Sequence, residues 1–332
     1  MNQRALALDE VAAWSGPPLI LFVGVDTGGS LVHPVFGRWA EALGQPWILR
    51  GVDLPADTPA GTYLRLVETM RANRLVHGAI VTAHKLRLYR ACASALTRRD
   101  RLVDLTHEIN TLTTVDGTVT GDARDAVSLT HVLPTVPRHH TGGRLDGLHL
   151  LCLGSGGAAT ALLLALHLDP TTGRPRADLP AHTTFTDTDP DALDALRAVA
   201  QRAGIQPARL SYAHVHDRTG NDALVASLPA PALVINATGL GKDTPGSPLT
   251  HDAPLRPGTV AWDFNYRGDL TFLRQARAAG ATTVDGWDYF VAGWAGGLTA
   301  IAGTPLTSDL LTRLSRAAAG YRPSTPRQDV IP

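Results

Sequence analysis

The chain passes from strand to helix through six small residues. An apolar run, LHLLCL (148–153), leads into Gly154-Ser155-Gly156-Gly157-Ala158-Ala159, and the apolar helical segment TALLLALHL follows. Glycines let the backbone turn tightly and approach a bound group closely, while a helix start offers unpaired N–H donors and a favourable dipole. A strand before and a helix after make this the phosphate-binding corner of a βαβ unit, and a dinucleotide is the ligand that suits it. Gly154, Gly156, Gly157 and Ala158 are therefore candidate cofactor-binding residues. A tight turn that merely packs small residues is the plainer alternative.

Beyond this corner, strands expected at TTFTD (183–187), LSYAHV (210–215), ALVINAT (232–238), TVAWDFN (259–265) and TTVDG (282–286) alternate with amphipathic helices. The second strand ends at Asp187. A carboxylate there accepts hydrogen bonds from the ribose hydroxyls of NAD and repels the 2′-phosphate of NADP, and no arginine stands at that strand end. NAD is thus the preferred cofactor, with NADP left open. The distance from Gly156 exceeds the usual ~20 residues, which a surface insertion at 169–180 explains; otherwise Asp187 caps the helix near Pro190.

The first half alternates too: LILFVG (19–24), WILRGVD (47–53) and VHGAIVT (76–82) are separated by helices near 35–43 and 60–74, with another near 85–97. Such alternation favours a mainly parallel sheet covered on both faces. Asp116-Gly117, flanked by threonine and valine, then marks a hairpin over 111–120. The aperiodic stretch at 133–146 separates the two series, and the tail at 323–332 is expected to fray. The fold class is α/β with two domains.

Thirty basic and thirty acidic side chains cancel. No net field draws the chain to nucleic acid or an anionic membrane, and neither partner is expected. Two cysteines make no disulfide framework, no His/Cys cluster has zinc spacing, and no metal is expected. His84 lies beside Lys85, His131 on a helix, and His139 and His140 in the junction. Asp9 and Glu10 interrupt any signal-peptide core and no apolar run reaches the ~18 residues of a membrane span, so a cytoplasmic protein is expected. Only two of the thirty basic residues are lysines, Lys85 and Lys242. A coding bias accounts for that, yet a retained lysine also supplies what arginine cannot, a proton lost near neutral pH.

Seven segments occur in the order and spacing of one family: VTAHK (81–85), EINTLTTVDGTVTGDARD (108–125), LCLGSGGAATA (151–161), VINATGLG (234–241), SPL (247–249), WDFNYRGDLTFL (262–273) and DGWDYFVAGWAGGLTAIAG (285–303). Together they resemble the shikimate dehydrogenase family, quinate dehydrogenases included. The resemblance implies an N-terminal substrate domain (1–130, completed by 290–322), a Rossmann dinucleotide-binding domain (140–289), and an active site in the cleft between them. It implies a catalytic lysine at Lys85 and its partner aspartate at Asp125. Substrate-binding positions fall on Asn110, which meets substrate hydroxyls, and on Tyr266; the cofactor loop falls on Asn236, Thr238 and Gly241. The implied activity is NAD(P)-dependent, reversible hydride transfer on a secondary alcohol or ketone of a small cyclic hydroxy acid, shikimate- or quinate-like. A small-molecule substrate is the partner this implies, and a homodimer stays open.

The chemistry asks for such groups independently. Alcohol oxidation needs a group that takes the hydroxyl proton, which a lysine does if its pKa falls from about 10.4. Burial lowers that pKa and a neighbouring carboxylate raises it. The family's S-x-S carboxylate clamp is Ser30-Leu31-Val32 here, its motif threonine becomes Val81 with Thr82 adjacent, its N-T-D becomes Ala123-Arg124-Asp125, and its C-terminal glutamine becomes Gly293. Each lost donor removes about 0.5–1.5 kcal/mol. Either a different group, Arg124 for one, takes over the substrate carboxylate, or the substrate is a specialised-metabolite intermediate without it; the alternative for Arg124 itself is that it points to solvent. A non-catalytic nucleotide-binding regulator is the remaining alternative. Trp287, Tyr289 and Trp294 make either an aromatic pocket or core.

Overall fold

A computed structural model describes residues 4–136, 142–242 and 244–323. Within them the chain divides into two compact units: one takes the chain up to Asp125 together with Val291–Tyr321, the other Ala126–Phe290 with the chain from Arg322. The division falls earlier than the junction expected at 133–146, at Asp125, the first residue of helix Asp125–Val132, which a 3-10 turn at Leu133–Thr135 follows. His139 and His140, and all of the expected tail except Pro323, lie outside the described residues.

The first unit is built on a six-stranded sheet: β1 (Leu19–Gly24), β2 (Ile48–Asp53), β3 (Val76–Val81), β4 (Arg98–Arg99), β5 (Thr111–Val115) and β6 (Thr118–Asp122), in the order β2-β1-β3-β5-β6-β4. Every residue of β1 is buried, as a central parallel strand covered on both faces requires. The β1–β2 and β1–β3 pairs are parallel, but β5 runs antiparallel to both β3 and β6. The hairpin sets the β5–β6 direction: Asp116 (φ 48°) and Gly117 (φ 75°) both take the left-handed conformation of a tight type I′ turn. Helix Lys85–Cys92 is shorter than expected, since from Thr97 the chain bonds to Val119 as an edge strand.

The C-terminal part of this unit packs closely through glycine. A Cβ on Gly297 would lie 2.2 Å from Ile80 Cδ1, and one on Gly78 2.7 Å from Ile301 Cδ1. Trp294 stacks on Trp39 and meets Phe22 edge-on, and Trp39 Nε1 donates to Leu314 O at 3.0 Å. Trp294 is therefore core, not ligand wall.

The second unit holds β7 (His149–Leu153), β8 (His182–Asp187), β9 (Leu210–His214), β10 (Ala232–Asn236), β11 (Thr259–Asp263) and β12 (Thr282–Val284). Their order is β12-β11-β10-β7-β8-β9 and all pairs are parallel. Numbered from β7, this is the 3-2-1-4-5-6 order of a doubly wound dinucleotide-binding sheet, with its ligand crevice at the β7/β10 switch point. Helix Gly157–His167 is buried along Ala159–His167, which is why its sequence is apolar all round. Residues 169–180 form an irregular loop that is partly exposed. No helix among the described residues is long and apolar enough to cross a membrane.

Candidate active site

Lys85 opens the helix after β3, Asn110 precedes β5, and Asp125 opens the helix after β6. Main-chain bonds bring these strand ends together: Val81 N donates to Asn110 O (2.8 Å), Ile109 N to Lys85 O (3.2 Å), and Asn110 N to Asp122 O (3.1 Å). Lys85 Nζ then donates to Asp125 Oδ2 at 2.5 Å, and Asn110 Nδ2 to Asp125 Oδ1 at 2.6 Å. Asn110 Oδ1 in turn accepts from Arg124 N (2.9 Å) and Thr111 Oγ1 (3.0 Å), so both ends of the amide are held. The Lys85 and Asp125 side chains keep 24% and 18% of their surface exposed, leaving the pair reachable.

Burial works to lower the Lys85 pKa, but the charges of Asp125 and Glu108 and the bond to Asp125 outweigh it, and the net direction is upward. The competition left open by the sequence is therefore won by pairing. Glu108 was not singled out by sequence reasoning. Burial pushes its carboxyl up, the Lys85 charge pulls it down and the Asp125 charge pushes it up again, and the net direction is upward.

The remaining substrate-side candidates are less free. Ser30 Oγ accepts from Val32 N at 3.4 Å, and Val32 itself is fully buried. Thr82 Oγ1 donates to Val23 O at 3.4 Å. The charge of Arg124 acts on Asp100 and Asp122, lowering both carboxyls against the upward push of burial. Its guanidinium charge is thus shared with two acids. His84 is a satisfied core residue: Nε2 donates to Leu54 O (2.8 Å), which leaves Nδ1 to accept from Tyr63 OH (2.8 Å). Tyr266 belongs to the second unit, where its ring packs on Phe290 and Trp287.

In the second unit a cavity of about 760 Å³ opens at the glycine-rich corner, lined by Gly154, Gly156, Asp187, Arg218 and Thr238 among others. Gly154 has φ 99°, and a Cβ there would sit 3.0 Å from Ala237 C; at Gly156 a Cβ would meet nothing within 4 Å, so room is left at the helix start. Gly157 and Ala158 form the first turn above it, where N–H groups have no partner within the helix. This cradle suits a pyrophosphate. Asp187 lines the cavity, but its Oδ2 accepts from Ser155 N (2.7 Å) and Oγ (2.8 Å), and the helix cap is Asp189 instead. Arg218, at the start of helix Arg218–Ser227 after β9, reaches the same cavity. Nothing at the β8 end of the sequence marks it; its signal is its place after the third strand of such a sheet.

Asn236 is buried and shapes its loop: Nδ2 donates to Leu240 O and Asp263 Oδ1, and Oδ1 accepts from Thr238 N and Oγ1. Gly241 (φ 93°) completes that loop by donating to Thr244 O. Of this motif, Thr238 faces the cavity. Burial raises both cysteine thiols, Cys92 to about 12, which makes them poor nucleophiles. Among the described residues no group of three or more His, Cys, Asp or Glu is placed to hold a metal ion.

No family model matches the chain. A shikimate dehydrogenase (NADP(+)) of Caulobacter vibrioides is 31% identical over 266 residues, 78% of this chain and 83% of its own. Another, of Oleidesulfovibrio alaskensis, is 31% identical over 191 residues, 55% of this chain, and the match spans only 56% of that relative. Among solved structures, a quinate dehydrogenase from Corynebacterium glutamicum in complex with NAD superposes with TM-score 0.69 at 18% identity, over 92% of this chain and 99% of that one. A shikimate dehydrogenase in complex with NADP+ gives 0.68 at 17% identity, over 93% and 96%. The two structures share the fold, and the Caulobacter relative carries the kinship in sequence. The chain belongs to the shikimate dehydrogenase family of NAD(P)-dependent oxidoreductases.

Proposed function

We propose that this protein interconverts a secondary alcohol and a ketone on a small, cyclic, hydroxylated substrate, with Lys85 as proton shuttle and Asp125 as its fixed partner. The observation that carries the reading is the Lys85–Asp125–Asn110 chain of 2.5 and 2.6 Å bonds on a pair that is only partly exposed. When bound, the nicotinamide dinucleotide supplies or accepts the hydride. In the reducing direction the Lys85 ammonium gives a proton to the ketone oxygen, and one hydride plus one proton turn C=O into CH–OH. In the oxidising direction the neutral amine takes the hydroxyl proton. Asp125 holds Nζ at one point in both, and Asn110 holds Asp125. Tyr266, Ser30 and Thr82 are proposed to contact the substrate.

The glycine corner is proposed to hold the pyrophosphate, Thr238 the cofactor beyond it, and Asp187 the adenine ribose, with NAD preferred over NADP. The test follows absorbance at the reduced-nicotinamide band with a panel of cyclic hydroxy acids and polyols. Turnover that falls about 10²–10⁴-fold in Lys85→Ala and stays low in Lys85→Arg, while nucleotide still binds, supports the reading. Tight nucleotide binding without turnover across the panel favours the regulator instead.

A further inference from the structure

Glu108 is a third ionisable group at the Lys85–Asp125 pair. The segment that carries it runs along the start of the Lys85 helix, tied by Ile109 N to Lys85 O at 3.2 Å, and it continues two residues later into Asn110, which holds Asp125. The charge of Glu108 acts on Lys85, and that of Lys85 and Asp125 on Glu108. Its main-chain N–H donates to Thr106 Oγ1, but among the described residues its carboxylate oxygens accept no hydrogen bond, and they are not sealed from solvent. A half-buried carboxylate with no donor from the protein is open to a donor that a substrate brings.

When both acids are ionised, two negative charges act on one ammonium. A substrate carboxylate entering here meets excess negative charge, and little compensates it: Val32 is buried apolar core, the charge of Arg124 also acts on Asp100 and Asp122, and Ser30 is left with a single hydroxyl proton to offer. A hydroxyl, by contrast, donates to Glu108 at no such cost.

Resting on the dehydrogenase reading above, we propose that Glu108 is a specificity-determining residue, accepting a hydrogen bond from a substrate hydroxyl near the reacting carbon and selecting uncharged cyclic polyols over cyclic carboxylic acids. The experiment measures kcat/KM of the full chain with saturating NAD for inositols and other cyclohexane polyols, against shikimate and quinate, in the unaltered protein, Glu108→Gln and Glu108→Ala. Polyols are expected to exceed the acids at least tenfold in the unaltered protein. Both variants should move that ratio toward the acids by tenfold or more, chiefly through KM, with NAD affinity unchanged as the check on folding. Equal or better use of the acids by the unaltered protein, or a ratio that neither variant moves, overturns the role of Glu108 while leaving the dehydrogenase reading in place. No turnover of either class, alongside intact nucleotide binding, overturns both.

Discussion

The side-chain amide of Asn110 donates to Asp125 at 2.6 Å, and it does so with its own oxygen already accepting the Arg124 and Thr111 donors. The amide therefore has one orientation, and the Asp125 carboxylate has one as well, with its other oxygen turned to Lys85. Removing the amide frees the carboxylate to rotate. Asn110→Ala is expected to lower kcat/KM about 10- to 100-fold, the equivalent of one hydrogen bond of about 1.5–3 kcal/mol to a charged group. Steady-state kinetics with the best polyol substrate measures it, and a loss under twofold would show that Asn110 positions nothing.

Although burial opposes it, Lys85 has a raised pKa, so the ammonium is its resting form through neutral pH. Reduction uses that form and oxidation uses the neutral amine. Alcohol oxidation is therefore expected to accelerate as pH rises from 7 to 10, while ketone reduction stays level and then declines. Replacing Asp125 by Asn removes the largest influence that holds the pKa up and should move the oxidation profile toward lower pH. An oxidation rate that is flat across this range would count against Lys85 as the shuttle.

Asp263, wholly buried at the end of β11, has its carboxyl pushed up to about 7 by burial, against the bonds from Asn265 and Asn236. A folded-state pKa above the unfolded value means that the native state binds the proton more tightly between about pH 4 and 7. The associated stability is present at acid pH and is lost as pH rises through about 7. Asp263→Asn keeps the group neutral, so its melting temperature should gain on the unaltered protein by roughly 5 °C between pH 5 and pH 8. Asp100, raised to about 6 mainly by burial, still contributes a slope of the same sign in the variant. Parallel pH curves for the two proteins would show that Asp263 does not titrate in this window.

Asp187 faces the cofactor cavity while bonded to Ser155. Asp187→Ala removes the charge that a 2′-phosphate would meet, and NADP affinity should rise about tenfold relative to NAD, on the scale of one such charge contact near the surface. Fluorescence titration with both cofactors reads the ratio. Tighter binding of NADP than of NAD by the unaltered protein would end the strand-end reading, and Arg218, which lines the same cavity, would be the residue to replace next.

Periodicity and turn chemistry are local properties, and they were legible along the chain. β1, β3 and the β7 to β12 series lie where apolar runs and β-branched residues put them, and the hairpin turns at Asp116-Gly117 because two successive left-handed residues suit a type I′ turn. The glycine corner was legible for the same reason: its conformation follows from residues within a few positions of one another. What the sequence could not rank was any balance struck between distant residues. Whether burial or pairing sets the Lys85 charge depends on Asp125 and Glu108, which only the pairing of β3, β5 and β6 ends brings to it. The same is true of His84, satisfied from Tyr63 and Leu54, and of Arg218, which enters the cavity from a strand two places away from the glycine turn. Local backbone preference writes the elements into the chain; electrostatic energy depends on distance in space, and the folded sheet alone sets those distances.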